Sequence, residues 1–216
     1  MLRTACCLLG ASVLAVACSS GTKTPAAVST TSAPSSSAPS AAAGACHTAA
    51  GPAGASGSGD VVVPGDIPDT QAYVTYPSPD GYRVDVPEGW PRSQSSGTVA
   101  FSDKFNSIRV NISPVAAAPT VSSAQSTDVA ALSGSATCFQ AGTVAEVSRK
   151  AGNAIRITYK ADSAPDPVTG KVVRQDVERY EFWRNGKLAA ITLASPVGSD
   201  NVDPWKKVTD SFAWTS

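Results

Sequence analysis

Cys18 is the residue whose neighbours predict the most specific chemistry in this chain. It directly follows Leu14-Ala15-Val16-Ala17, a run of mostly small residues at the end of a short apolar segment. Signal peptidases cut beside small residues, and a cysteine at the cut can carry a thioether-linked diacylglycerol, usually with a further acyl chain such as palmitate. Several acyl chains hold a protein on a membrane, because each buried CH₂ contributes about 0.8 kcal/mol. The sequence therefore predicts lipid attachment at Cys18.

Residues 1–17 have the composition of a lipoprotein signal peptide. Arg3 supplies the positive charge, and residues 7–17 are apolar, which is shorter than the roughly 20 residues that span a hydrocarbon core. We expect these residues to be removed from the mature protein. Ala15 stands where such signals usually have Leu or Val, so secretion without a lipid is the alternative. Both outcomes place the mature chain outside the cytoplasm.

Residues 18–59 differ in composition from the rest of the chain. After Cys18 they are mainly Ala, Ser, Thr, Pro and Gly, with Lys23 as the only charge and no aromatic residue. Such a segment cannot bury enough apolar surface to offset an ordering entropy of about 1–2 kcal/mol per residue. We predict a disordered tether between the lipid and a folded domain.

The five cysteines divide by position. Cys6 and Cys7 leave with the signal peptide, and Cys18 takes the lipid. Cys46 and Cys138 remain as an even pair in an oxidising compartment, where cysteines typically form disulfides. We predict a disulfide between them; two free thiols, with Cys138 buried as a small hydrophobic residue, are the alternative.

Residues 60–216 have the composition of a single globular domain, with all four tryptophans and all five tyrosines. Tyr82, Val84 and Val86 alternate with polar residues, which is typical of a half-buried strand. Asn185-Gly186 predicts a type I′ hairpin turn, because both central residues of that turn need positive φ. The predicted strands cover 82–86, 98–101, 108–112, 143–148, 154–159, 172–183 and 187–194.

Two helices are predicted around these strands. Residues 119–133 carry apolar residues at helical spacing, with Thr120 or Ser122 as a cap. Asp203-Pro204 has the pattern of an N-cap and first helical residue. Val202, Trp205, Val208 and Phe212 recur at spacings of three, three and four, which places them on one face of the helix that follows. Because the hairpin strands are apolar on both faces, the prediction is an α+β domain: an antiparallel sheet of about six to seven strands covered by helices on both sides.

The order of three motifs resembles the PsbP/Mog1-type fold, as found in actinobacterial cell-envelope lipoproteins. The motifs are a Tyr-x-Val-x-Val strand running into Pro87-Glu88-Gly89-Trp90, the segment 179–187, and the segment 200–205 with Ser211-Phe212-Ala213-Trp214. The likeness covers about residues 73–214. It implies an α/β/α sandwich that binds proteins or small ligands, with no catalytic residue to transfer.

The sequence offers few candidate residues for a metal site or for a Ser-His-Asp catalytic triad. His47 is the only histidine and lies beside Cys46 in the tether, and two adjacent residues cannot supply a closed metal site. We expect a solvated linker histidine, and a domain without histidine excludes a Ser-His-Asp triad. No metal or other cofactor is expected, and a formal net charge of zero gives no reason to expect a nucleic-acid partner.

Carboxylates are the remaining candidates for catalysis. Asp176, Glu178 and Glu181 could form the acid pair of a glycosidase, although cross-strand ion pairs with Arg174 and Arg179 are the favoured interpretation. The remaining acids are Asp200 and Asp203, which flank Asn201 and are interpreted as helix capping rather than a calcium site, and Asp162 and Asp166, which are interpreted as solvated turn residues.

Three aromatic residues are candidate contacts for a ligand or partner: Trp90, Tyr180 and Trp183. Packing in the core is the favoured interpretation, but one or two of them could line a cleft. We expect a non-catalytic binding or accessory lipoprotein, held on the extracytoplasmic side of the cell membrane, whose partner is an envelope protein or a hydrophobic small molecule. The alternatives are a carrier of a hydrophobic ligand such as a lipid and, less favoured, a carboxylate-dependent hydrolase.

Overall fold

The fold is taken from a computed structural model, which describes residues 46–47 and 65–215. These residues belong to one compact unit, Ala43–Ser216. The predicted signal peptide, the lipid site at Cys18 and most of the predicted tether lie outside the described residues.

Ten strands and a few helical segments make up this part of the chain. The strands are β1 (Tyr73–Ser78), β2 (Tyr82–Pro87), β3 (Arg92–Ser95), β4 (Thr98–Asp103), β5 (Asn106–Pro114), β6 (Gln140–Arg149), β7 (Gly152–Asp162), β8 (Arg174–Arg184), β9 (Lys187–Pro196) and β10 (Ala213–Trp214). The helices are α1 (Val121–Ser123), α2 (Val129–Ser135) and α3 (Val202–Ser211), and a π-helical turn over Ala124–Asp128 joins α1 to α2.

Seven strands form one antiparallel sheet, in the order β3-β4-β5-β9-β8-β7-β6, and β1, β2 and β10 form a second, three-stranded sheet. Two buried apolar clusters lie against the large sheet. The first includes Phe182, Trp205 and Phe212 and joins α3 and the small sheet to one face. The second includes Ala124 and Ile157 and lies against the opposite face, under the α1–α2 segment. The α+β architecture, with a seven-stranded sheet covered on both faces, is therefore confirmed.

The predicted strands and the hairpin turn are present, although the strand predicted over 82–86 lies in the small sheet rather than in the large one. Asn185 and Gly186 have φ values of 50° and 79°, as a type I′ turn requires. Three strands were not predicted: β3 is a fully exposed Arg-Ser-Gln-Ser segment, β10 has two residues, and β1 contains a proline. None of the three shows the alternating apolar pattern on which strand prediction depends.

The helix predicted near residue 120 begins with a capping box. The Thr120 side chain accepts a hydrogen bond from the Ser123 backbone N–H, and the Ser123 side chain accepts one from the Thr120 backbone N–H. The predicted cap of α3 was wrong, and Val202, predicted on the buried face of this helix, is exposed as its first residue. The N-cap is Asn201, and Asp203 lies in the first turn. There its negative charge interacts favourably with the positive end of the helix dipole. None of the helices within residues 46–47 and 65–215 is long and apolar enough to cross a membrane.

Candidate functional site

The end of the predicted tether is held on the domain by a disulfide. Cys46 is bonded to Cys138, with 5.4 Å between their Cα atoms and a sequence separation of 92. Cys138 follows α2 and has a positive φ of 54°. The predicted pairing is therefore present in the structure.

His47 strengthens this attachment. Its backbone N–H donates to Asp162 Oδ2 over 3.1 Å, and its Nδ1 lies 2.9 Å from the same oxygen. The prediction of a solvated linker histidine was wrong in part: the side chain is exposed, but Asp162, 115 positions away, supplies a partner. Arg174 donates to the other carboxylate oxygen of Asp162 and to the Cys138 carbonyl. We call Cys46, His47, Cys138, Asp162 and Arg174 the junction.

Asp162 is the central charge of the junction. Its side chain is 2% exposed, so its interpretation as a solvated turn residue was also wrong. Burial by itself raises the pKa of Asp162, but the hydrogen bonds from His47 and Arg174 outweigh it and lower the pKa below its usual value. The carboxylate is therefore held ionised at the point where the tether meets the sheet. Asp166, by contrast, is bonded within its own exposed turn, as predicted.

The three candidate acids of β8 do not converge. Asp176 forms a half-exposed cross-strand ion pair with Lys160, and Glu178, on the same face, accepts from the Tyr180 hydroxyl over 2.6 Å. Glu181 lies on the opposite face, fully buried, and pairs with Arg179 over 2.7 Å. Ion pairing was the favoured interpretation, and Arg179 does pair with Glu181, although along its own strand rather than across strands. Arg174 was the wrong partner, because it pairs with Asp162.

The aromatic candidates have different environments. Tyr180 is 1% exposed, and Arg149 donates to its hydroxyl while lying over its ring, so it belongs to the core rather than to a contact surface. Trp183 is half-buried and donates its indole N–H to the Val115 carbonyl. Trp90 is partly buried against the first apolar cluster. Trp90 and Trp183 keep some exposed surface, but they lie apart from the junction.

A β-bulge in β6 shapes the surface at one edge of the large sheet. The pairing of β6 with β7 shifts register between Ala141 and Val144. A Cβ at Gly142 would lie 2.4 Å from Thr158 Oγ1, so only glycine allows this close approach. Two open depressions flank the bulge. One, of about 390 Å³, lies beside the helix and contains Val129 and Phe139; the other, of about 230 Å³, contains Lys160 and Glu178.

The segment 200–203 has a structural role. Asn201 accepts from the Ile67 backbone N–H and donates to the Gly65 carbonyl, and the Asp200 N–H donates to Asp66. Its polar groups thus tie residues 65–67 to the start of α3, which differs from the predicted helix capping by side chains. In the described part of the chain, no three His, Cys, Asp or Glu side chains lie close enough together to hold a metal ion.

Comparisons with known proteins find similarity in solved structures. The chain is similar to the solution structure of cyanobacterial PsbP (CyanoP) from Synechocystis sp. PCC 6803, with a TM-score of 0.47, 19% identity, and coverage of 76% of this chain and 99% of that one. It is also similar to the Ran-binding protein Mog1p of Saccharomyces cerevisiae, with a TM-score of 0.44, 12% identity, and coverage of 68% and 97%.

A crystal structure from Bacteroides thetaiotaomicron VPI-5482 matches with a TM-score of 0.44 and 12% identity over 66% of this chain, which spans only 48% of that protein. No protein-family model matches the chain, and no curated protein matches it. The sequence identity to each of these three structures is below 20%.

Proposed function

We propose that this chain is a membrane-anchored, extracytoplasmic lipoprotein with a non-catalytic binding or accessory role in the cell envelope. The observation that carries the proposal is the disulfide between Cys46 and Cys138. Disulfides persist in oxidising compartments outside the cytoplasm, which is where a chain with the signal and cysteine of residues 1–18 would be delivered.

The junction also supports a mechanical role for the attachment. It fixes the domain to the tether at Cys46, with contacts from His47 and Arg174 to Asp162 beside the covalent bond. The spacer between the lipid on Cys18 and the domain would then be residues 19–45. With a scaling of about 5–6 Å × √n, this spacer would reach roughly 30 Å.

Binding is favoured over hydrolysis by the placement of the acids. A glycosidase needs two carboxyl groups facing each other across roughly 5–10 Å of open space. Glu181 lies on the opposite face of β8 from Asp176 and Glu178, and each of the three is already in an ion pair or hydrogen bond. We propose that the domain presents surface groups to a partner or ligand.

The anchor is tested by Cys18→Ala in the native host. We expect the wild-type protein in the membrane fraction with the mass of its acyl chains at Cys18, and the variant in the soluble fraction without that mass. Cys7→Ala is the matched control, because Cys7 belongs to the predicted signal peptide and should leave the wild-type result unchanged. A wild-type protein without acyl mass, or a variant that stays on the membrane, would overturn the proposal.

A further inference from the structure

One row of the large sheet places two arginines on either side of a threonine. In the paired strands Arg109 of β5 lies opposite Thr192 of β9, and Thr192 lies opposite Arg179 of β8. Side chains directly opposite each other in a sheet point to the same face. That face carries Val177 and the second apolar cluster, so the row lies beside the helix-covered part of the sheet. We call Arg109, Thr192 and Arg179 the arginine row.

The neighbouring positions leave the arginine row accessible. Ala190 and Ala194 flank Thr192 on β9, and Ala100 lies opposite Arg109 on β4. These small side chains cannot cover the guanidinium groups. Arg109 is exposed, and the Arg179 side chain is 23% exposed.

Both guanidinium groups have N–H donors without a hydrogen-bond partner among the described residues. Arg109 forms no ion pair or hydrogen bond with the part of the chain that the structure describes. Arg179 donates its Nε to Glu181 over 2.7 Å, which leaves its two terminal nitrogens without a partner among the described residues. Because the Glu181 side chain is completely buried, this bond fixes Arg179 in place, and a fixed guanidinium loses less entropy on binding a ligand.

Tyr159 indicates that both arginines reach the same region. Burial raises the pKa of Tyr159, and the positive charges of Arg179 and Arg109 both act in the opposite direction. The Tyr159 side chain lies on the same face as Val177, its partner on β8. Both guanidinium groups therefore lie near enough to the Tyr159 side chain to act on its pKa.

We propose that the arginine row, with Tyr159 beside it, is a binding site for a phosphate-type oxyanion. The backbones of Arg109 and Arg179 are two strand spacings apart, or about 10 Å, which leaves room for an anion between the side chains. A tetrahedral phosphate accepts charge-assisted hydrogen bonds from both sides, whereas a single guanidinium already satisfies a planar carboxylate. The phosphate could be free or part of a phosphodiester headgroup, and the site does not depend on the lipid at Cys18.

The test uses the complete chain with Cys18→Ala, so that acylation plays no part. Nitrogen-15-labelled protein is titrated at constant ionic strength with sodium phosphate and, separately, with a monomeric short-chain phosphatidylglycerol, while the arginine Nε–H signals are followed by NMR. We expect saturable shifts of Arg109 and Arg179 with at least one of the two probes. Saturation with phosphatidylglycerol alone, or at lower concentration, assigns the site to a headgroup; saturation with phosphate alone assigns it to the free ion.

The variants decide whether the arginine row is responsible. Arg109→Gln should weaken binding about tenfold or more, because one of two charge-assisted contacts is lost, while Arg109→Lys should recover part of it. Arg83→Gln, which removes an exposed arginine from β2 in the small sheet, should change affinity less than about twofold. Absence of saturable shifts with both probes, or unchanged binding in a folded Arg109→Gln protein, would overturn the proposal.

Discussion

The two faces of the seven-stranded sheet are built from different side chains. On the face under α3 and the small sheet, Phe182 stacks on Phe212 at 4.8 Å between ring centres, and Tyr82 lies 5.8 Å from Phe212. On the other face the buried cluster is mainly aliphatic and small, and next to it lie the arginine row and the buried Glu181. One face is filled by aromatic rings, and the other keeps hydrogen-bond donors near solvent that have no partner among the described residues.

This difference separates stability from recognition. Aromatic side chains bury large apolar areas and contribute most of the free energy of a core, so the α3 face should determine the free energy of unfolding. Exposed guanidinium groups contribute little to stability but are suited to anions. Substitutions on the two faces should therefore separate into those that unfold the domain and those that leave it folded with altered binding.

The largest effect is expected from Trp205→Ala on α3. Trp205 is 4% exposed in the first apolar cluster, and truncation of a buried aromatic residue costs about 3–5 kcal/mol. Urea denaturation measures the loss. Val202→Ala, at a position of the same helix that is 71% exposed, is the control and should change the free energy of unfolding by less than about 0.5 kcal/mol. A Trp205→Ala domain as stable as the wild type would mean that the α3 face is not the main core.

The disulfide is expected to have the next largest effect. Removing both cysteines, by Cys46→Ser with Cys138→Ser, should lower the free energy of unfolding by about 2–4 kcal/mol, because the bridge closes a loop across 92 residues. Denaturation of the wild type with and without reductant should show the same difference. Alkylation of both thiols in the unreduced wild-type protein, detected by mass spectrometry, would rule out the bridge.

A pH-dependent effect is expected at Asp162. Its folded-state pKa is lowered, so it stabilises the fold above its unfolded pKa of about 3.9, and this contribution is lost as the pH falls through the folded value. The free energy of unfolding of Asp162→Asn should therefore fall less steeply in acid than that of the wild type. The exposed Asp69→Asn should retain the wild-type slope. An equally steep fall in Asp162→Asn would contradict the ionised junction.

The smallest effect is expected at the exposed acid of β8. Asp176→Asn removes a half-exposed ion pair with Lys160, and such pairs contribute about 0–1 kcal/mol. Urea denaturation at low and high salt should show a small loss that decreases with salt, because salt screens exposed charges. A loss above about 2 kcal/mol would show that Asp176 is part of a buried network instead.

The sequence predicted those features that depend on neighbouring residues. Asn185-Gly186 specifies its own turn, and Trp205 and Phe212 show their shared face through helical spacing. The pairing of His47 with Asp162 crosses 115 positions, and no local pattern indicates it. The arginine row was missed for the same reason: Arg109, Thr192 and Arg179 become neighbours only through the register of three strands.

The cysteine pair could be predicted by counting. Once the signal peptide and the lipid account for three cysteines, Cys46 and Cys138 are the two left in an oxidising compartment. The cap of α3 could not be predicted, because Asn201 directs its side chain to residues 65–67 rather than to its own helix. The contacts of the junction and the start of α3 therefore both depend on hydrogen bonds between residues far apart in sequence.

The division between the two faces is tested most directly by the free energy of unfolding of Arg109→Gln, measured in urea beside its phosphate titration. We predict a stability within about 0.5 kcal/mol of the wild type, together with oxyanion binding that is weakened about tenfold or more. A destabilisation of more than about 2 kcal/mol would show that Arg109 supports the fold, and the account of a stabilising face and a binding face would be contradicted.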